Sequence, residues 1–201
     1  KKAEKFFGPI DLFVSNAGIL KGEKKTSTSA NNKLWQLYWN LHVMSHVYAA
    51  RATLPSMIKR KRGYFLQIIS AAALLTQVGD AAYSASKSAA LSFAESLAIS
   101  HADDGIKVSV VCSQYVKTKM ISNKINLEDI EKIKSTKEIV KLIINGIEAE
   151  KFLIITDDNI QKYVNYKINN YDKWLTKMIN LRRKALTDSM TINVKEFYKF
   201  L

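Results

Sequence analysis

One cysteine, two prolines and seven glycines are all that the 201 residues hold of the types that staple, break or loosen a chain. A single cysteine, Cys112, excludes an intrachain disulfide and fits a reducing compartment. Pro9 and Pro55 stand far apart, and no Gly/Ser-rich tract or repeat divides the sequence, so one domain is expected over residues 1–201. No stretch reaches ~18 uninterrupted apolar residues, which argues against a membrane-spanning helix, and no signal peptide is visible. A cytoplasmic protein without a membrane partner is the expectation.

Acidic residues are scarce as well, 18 against 31 Lys and Arg, for a net charge of +13. The excess is spread, with 13 basic against 5 acidic residues in 1–100 and 18 against 13 in 101–201. A spread charge reads as a solvated basic surface. Nucleic-acid binding asks for a basic face interleaved with exposed aromatics or a recognisable module, and neither is present; Lys59-Arg60-Lys61-Arg62 is a charged turn between two elements. The 47% of hydrophobic residues is enough for a core.

Among what is present, Tyr83-Ser84-Ala85-Ser86-Lys87 carries the most chemistry. A tyrosine and a lysine at i and i+4 share one helix face. An ammonium beside a phenol stabilises the phenolate, so Lys87 is expected to lower the Tyr83 pKa from about 10. Alone, the spacing also fits any amphipathic helix. Upstream, Tyr64 to Ile69 reads as a buried strand ending at Ser70, and downstream Ala81 to Ile99 reads as an Ala-rich helix. Strand, loop and helix in that order indicate an α/β fold with a parallel sheet, in which functional groups gather at the carboxyl ends of the strands. A Ser70 hydroxyl at such an end can orient the carbonyl that Tyr83 protonates.

Further strands are read at Ile10 to Val14, Ile106 to Val111 and Phe152 to Ile155. Helices are read at Lys1 to Phe7, stopped by Gly8-Pro9, then at Asn32 to Met57 and Glu138 to Ile147. From Asp158 the pattern is helical and charged, a C-terminal extension over about 158–201; it either closes over substrate or is a packed surface helix pair. Thr187 to Leu201 receive no assignment. His42 and His46 have zinc-like i, i+4 spacing but no completing ligand, so they are read as helix-surface or interface histidines, and no metal is expected. Ser70, His101 and Asp103 lack the Gly-x-Ser-x-Gly elbow of a hydrolase.

Several of these elements, in this order, resemble the short-chain dehydrogenase/reductase family. Ser15-Asn16-Ala17-Gly18 is similar to its Asn-Asn-Ala-Gly. Trp39-Asn40-Leu41 is similar to its Val-Asn-Leu, and Leu54-Pro55-Ser56-Met57 to its Leu-Pro-x-Met. Ser70, Tyr83 and Lys87 match its catalytic serine and Tyr-x-x-x-Lys. Cys112 to Thr118 resembles its Asn-Pro-Gly-x-Val-x-Thr, with Ser113 and Gln114 replacing Pro and Gly.

The resemblance implies a doubly wound, Rossmann-like parallel sheet and an oxidoreductase that interconverts an alcohol and a carbonyl with NAD or NADP. It implies catalytic roles for Asn40, Ser70, Tyr83 and Lys87, with Asn40 kinking its helix and holding a water that relays protons toward Lys87. Lys87 would also bind the nicotinamide ribose, Thr118 the carboxamide, and Asn16, Ala17 and Gly18 the adenosine side. Tyr83 and Lys87 thus count among the cofactor-binding residues. The substrate would be a small alcohol or ketone under a lid formed by Val116 to Asn123, and the protein a homo-oligomer. A non-catalytic relative serving as an interaction or scaffold module is the alternative.

The seven glycines, at 8, 18, 22, 63, 79, 105 and 146, form no Gly-x-x-x-Gly-x-Gly or Gly-x-Gly-x-x-Gly turn. Such a turn lets backbone amides approach a pyrophosphate. The chain is therefore expected to be an N-terminal truncation, with strands 4–7 of the family's sheet present and the first βαβαβ half, roughly a quarter to a third of such a domain, missing. It is expected to be inactive alone.

Overall fold

The computed structural model describes residues 2–23, 25–122 and 133–186. Four strands, β1 (Leu12–Ser15), β2 (Gly63–Ile68), β3 (Ile106–Cys112) and β4 (Leu153–Ile155), form one parallel sheet in the order β1-β2-β3-β4. Around it run α1 (Lys2–Phe7), α2 (Asn32–Trp39), α3 (Ser45–Lys59), α4 (Ala72–Leu75), α5 (Ala81–Ser100), α6 (Lys119–Ser122), α7 (Thr136–Glu148), α8 (Asp158–Asn169) and α9 (Tyr171–Ala185). The expected α/β order holds. The end of the expected lid at Asn123, and 187–201 of the C-terminal extension, lie outside the described residues.

The sheet is doubly wound because the two faces of β2 and β3 are both apolar and need separate cover. On one face Phe65, Val108, Val110 and Cys112 pack against Ala50 and Met57 of α3 and Ala90, Ala94 and Leu97 of α5. On the other, Leu66, Val111 and Ile154 meet Ile143 and Ile147 of α7. Each fully buried side chain of this size contributes roughly 1.5–3 kcal/mol. Ser109, on the α7 face, is fully buried and polar; its hydroxyl donates to the Lys151 carbonyl at 2.6 Å and pairs with Tyr64 Oη at 2.7 Å. Leu12 and Val14 of β1 stay 44% and 47% exposed, so the β1 edge of the sheet is apolar and uncovered among the described residues.

The helix expected over Asn32 to Met57 is one rod in three pieces. A π turn over Asn40–Met44 separates α2 from α3. It places an i→i+5 bond from Ser45 N to the Asn40 carbonyl, and the Ser45 hydroxyl donates to the Leu41 carbonyl at 2.6 Å. The extra residue in the turn shifts the face that later side chains present. The C-terminal helices start on Asp157, whose carboxylate accepts from Asn159 N, while α7 starts on a reciprocal Ser135–Glu138 capping box.

Gly105 enters β3 at φ +73°, and a Cβ there would strike the Lys61 carbonyl in the turn before β2. Both the left-handed backbone and the close approach require glycine. Gly105→Ala is expected to destabilise the chain by more than about 1 kcal/mol in urea unfolding, with the m-value unchanged.

Candidate active site

Helix α5 is held by its first turn. Asp80, fully buried, caps it: Oδ1 accepts from Tyr83 N at 3.1 Å. Its Oδ2 accepts from Tyr38 Oη at 2.8 Å and from Gly22 N at 2.9 Å. One carboxylate thus ties α5 to α2 and to the loop that follows β1. The Tyr38 hydroxyl accepts in turn from Lys21 N at 2.7 Å, and burial drives the Tyr38 pKa far upward, so the phenol keeps the proton it gives Asp80.

With α5 so fixed, Tyr83 and Lys87 point toward the carboxyl ends of β1, β2 and β3. Tyr83 faces Ser70, which sits two residues past Ile68, the last residue of β2. The Ser70 Oγ also accepts from Ala72 N at 3.1 Å, which fixes its position. Lys87 is 4% exposed; its Nζ donates to the Ile68 carbonyl at 3.4 Å and stands 5.6 Å from the centre of the Tyr83 ring.

The electrostatics differ from the expectation for Lys87 and Tyr83. Burial raises the Tyr83 pKa, the Ser70 hydroxyl opposes it, and the Asp80 charge adds to the rise. Lys87 Nζ stands over the ring, and its own pKa is pulled down by burial to about 8. Desolvation dominates, and Tyr83 is a protonated phenol near neutral pH.

Asn16, Ala17, Gly18, Ser70, Tyr83, Lys87 and Thr118 all line one cavity of 1310 Å³. Asn40 does not. Its side chain is exposed and its Oδ1 accepts from Gln36 Nε2 at 2.8 Å on the outer face of the rod. Its carbonyl accepts from Ser45 N. The kink does fall at Asn40, as the π turn.

His42 takes the inner position instead. It is fully buried rather than on the surface, as is His46 at 3% exposure. Its Nε2 accepts from Ile19 N at 3.2 Å, which places the proton on Nδ1, 2.9 Å from Ser86 Oγ; that hydroxyl donates to the Tyr83 carbonyl at 2.7 Å. The ring stacks on Tyr38 and meets Tyr83 edge-on at 5.3 Å. A Cβ on Gly18 would lie 3.6 Å from His42 Nε2 and 3.7 Å from Lys87 Nζ, so the Gly18 turn, His42 and Lys87 converge. Burial first, then Lys87 and His46, lower the His42 pKa to about 3, while burial and Lys87 lower that of His46 to about 4. Among the described residues no group of three His, Cys, Asp or Glu could hold a metal ion.

A folded-state pKa below the unfolded value of 6.5 means that the unfolded chain takes up the protons first. The stability from neutral His42 is complete above pH 6.5 and is lost as pH falls toward 3. His42→Asn keeps a donor and an acceptor but does not titrate. The variant is expected to lose about 1–2 kcal/mol at pH 7, to match the parent between about pH 5 and 6 and to exceed it near pH 4, read by denaturant midpoints along a pH series.

The model for "short chain dehydrogenase" matches residues 1–129. Oxidoreductase UcpA of Salmonella typhimurium is 32% identical over 136 residues, covering 66% of this chain and 51% of its own. The 3-oxoacyl-[acyl-carrier-protein] reductase FabG of Buchnera aphidicola is 32% identical over 159 residues, covering 75% of this chain and 64% of its own. The chain thus spans about half to two-thirds of the curated relatives it matches. A short chain dehydrogenase from Burkholderia cenocepacia, solved in complex with NADP, superposes with a TM-score of 0.76 at 18% identity over 88% of this chain and 71% of its own. The parallel sheet and the matching sequence model agree: the chain belongs to the short chain dehydrogenase family.

Proposed function

We propose that this chain carries the proton-transfer site of an NAD(P)-dependent oxidoreductase that interconverts an alcohol and a carbonyl. The observation that carries the reading is the convergence of Ser70, Tyr83 and Lys87 on one cavity at the strand ends, with the tyrosine protonated. Tyr83 gives its proton to the carbonyl oxygen in reduction and takes it back in oxidation. Ser70 holds that oxygen beside the phenol.

The residues present fit a nicotinamide nucleotide. Lys87 brings three N–H donors into a buried site where, among the described residues, its hydrogen-bond acceptor is one backbone carbonyl; vicinal ribose hydroxyls suit the rest. Gly18 brings backbone to the cavity wall without a side chain, Asn16 and Ala17 extend that wall, and Thr118 faces it from the loop after β3. When bound, the nicotinamide supplies or accepts the hydride. His42 pins the Ile19 backbone to α5 and stays neutral, adding no positive charge beside Lys87.

A dehydrogenase-like scaffold is favoured by two features, the Ser113-Gln114 substitution in the loop beyond β3 and the lack of a glycine-rich phosphate turn among these 201 residues. The assembled Ser70–Tyr83–Lys87 set weighs against it. In the protein's full reading frame, Tyr83→Phe is expected to lower kcat roughly 10²–10⁴-fold while cofactor affinity, read by fluorescence titration, stays within about twofold. A variant that keeps its kcat refutes the role of Tyr83.

A further inference from the structure

The cavity has a roof of its own and a charge of one sign. The roof is the pair α8–α9, which contributes Lys162, Tyr166, Trp174, Lys177, Met178 and Leu181 to the lining. It is fastened at both ends. Lys167 Nζ donates to the Leu74 carbonyl of α4 at 2.7 Å and lies 4.6 Å over the Trp174 ring, while Arg182 Nη2 donates to the Lys25 carbonyl at 3.2 Å. The helix pair therefore spans the cavity mouth from the Ser70 side to the loop after β1.

Beneath this roof the wall is apolar, with Leu75, Val116, Ile139, Val140 and Ile143 from α4, the loop after β3, and α7. Among the described residues, every charged side chain in the lining is a lysine: Lys87 in the floor, Lys119 after β3, and Lys162, Lys177 and Lys184 in the roof. Lys177 stands 4.2 Å over the Tyr166 ring, a placement that keeps its stem against the apolar wall and its ammonium at the rim. A recess with apolar walls and charge of one sign concentrates ligands of the opposite sign.

The volume, 1310 Å³, exceeds the roughly 300–1,000 Å³ of an ordinary small-molecule site, so there is room for more than a nicotinamide and a compact ketone. Lys162 and Lys177 belong to this roof, across the cavity from the strand ends that hold Ser70, Tyr83 and Lys87. We infer that the substrate is an amphipathic anion, its reacting carbon at Tyr83, its apolar body between α7 and α9, and its anionic group at Lys162 and Lys177. This rests on the reading of Tyr83 as the proton-transfer residue.

Binding and turnover separate the two readings. 9-Oxodecanoate carries a ketone near one end and a carboxylate at the other; its methyl ester differs by the loss of that charge. In the full reading frame with cofactor present, calorimetric titration is expected to show the acid binding at least tenfold more tightly than the ester. Lys162→Gln/Lys177→Gln, two exposed positions, is expected to weaken the acid roughly five- to tenfold and leave the ester unchanged, and added salt to reproduce the loss. Equal binding of acid and ester, binding of neither, or a preference that survives the double substitution overturns the assignment. The same titration in Tyr83→Phe is expected to keep the preference. Selective binding together with turnover that ignores Tyr83 would refute the proton-transfer reading and leave the anion site standing.

Discussion

The buried carboxylate of Asp80 is the interaction on which the site depends. A charged group with no solvent access is costly unless its lone pairs are filled, and Asp80 fills them from three separate pieces of chain: Tyr83 N in α5, Tyr38 Oη in α2 and Gly22 N in the loop after β1. Those donors are also what fixes the rotation of α5. Tyr83, one turn from the cap, is thereby aimed at Ser70, and Lys87, a further turn on, at the floor of the cavity. The same charge helps to hold Tyr83 protonated, so the residue that positions the acid also keeps its proton in place.

Around that anchor, desolvation decides each protonation state. His42 and His46 are neutral, Tyr83 is protonated, and Lys87 titrates near 8 because it lies in the same dry region. Cys112, behind Lys87 at the end of β3, is pushed up to about 11 by burial and stays a thiol. A cluster of groups with ordinary solution pKa values spread over several units becomes nearly neutral, with one ammonium poised to change charge close to physiological pH.

Much of this was legible in the sequence, and the residues that were not share a cause. Tyr83 and Lys87 are one turn apart on an uninterrupted α-helix, so their common face follows from helical period alone. Ser70, Gly18 and Thr118 follow strands whose apolar runs mark their carboxyl ends. Asn40 and His42 lie in a π turn; His42 stands four residues after the buried Tyr38 and shares its inner face, as helical spacing implies, while Asn40 stays outside. Nothing in a string of letters announces the π turn, or that a histidine is buried there. Asp80 was readable as a helix cap, since an aspartate stands just before Ala81, but its contacts with Tyr38 and Gly22 are long-range and depend on how three elements pack. The opposite error affected Tyr83: the charge of its neighbour is visible in sequence, the burial that raises its pKa is not.

The C-terminal helices show the limit from another side. Their amphipathic pattern fits a surface pair or a cover over the site equally well; that both helices line the cavity, tied by the Lys167–Leu74 and Arg182–Lys25 hydrogen bonds, depends on contacts between residues far apart in the chain. The central claim is that Asp80 sets α5 so that Lys87 lies buried beside a protonated Tyr83. Its most direct test is an NMR titration of the ¹⁵N-labelled Lys87 amino group. A midpoint near 8 is expected; one at the ordinary lysine value of 10.5 would place the ammonium in water and contradict the account.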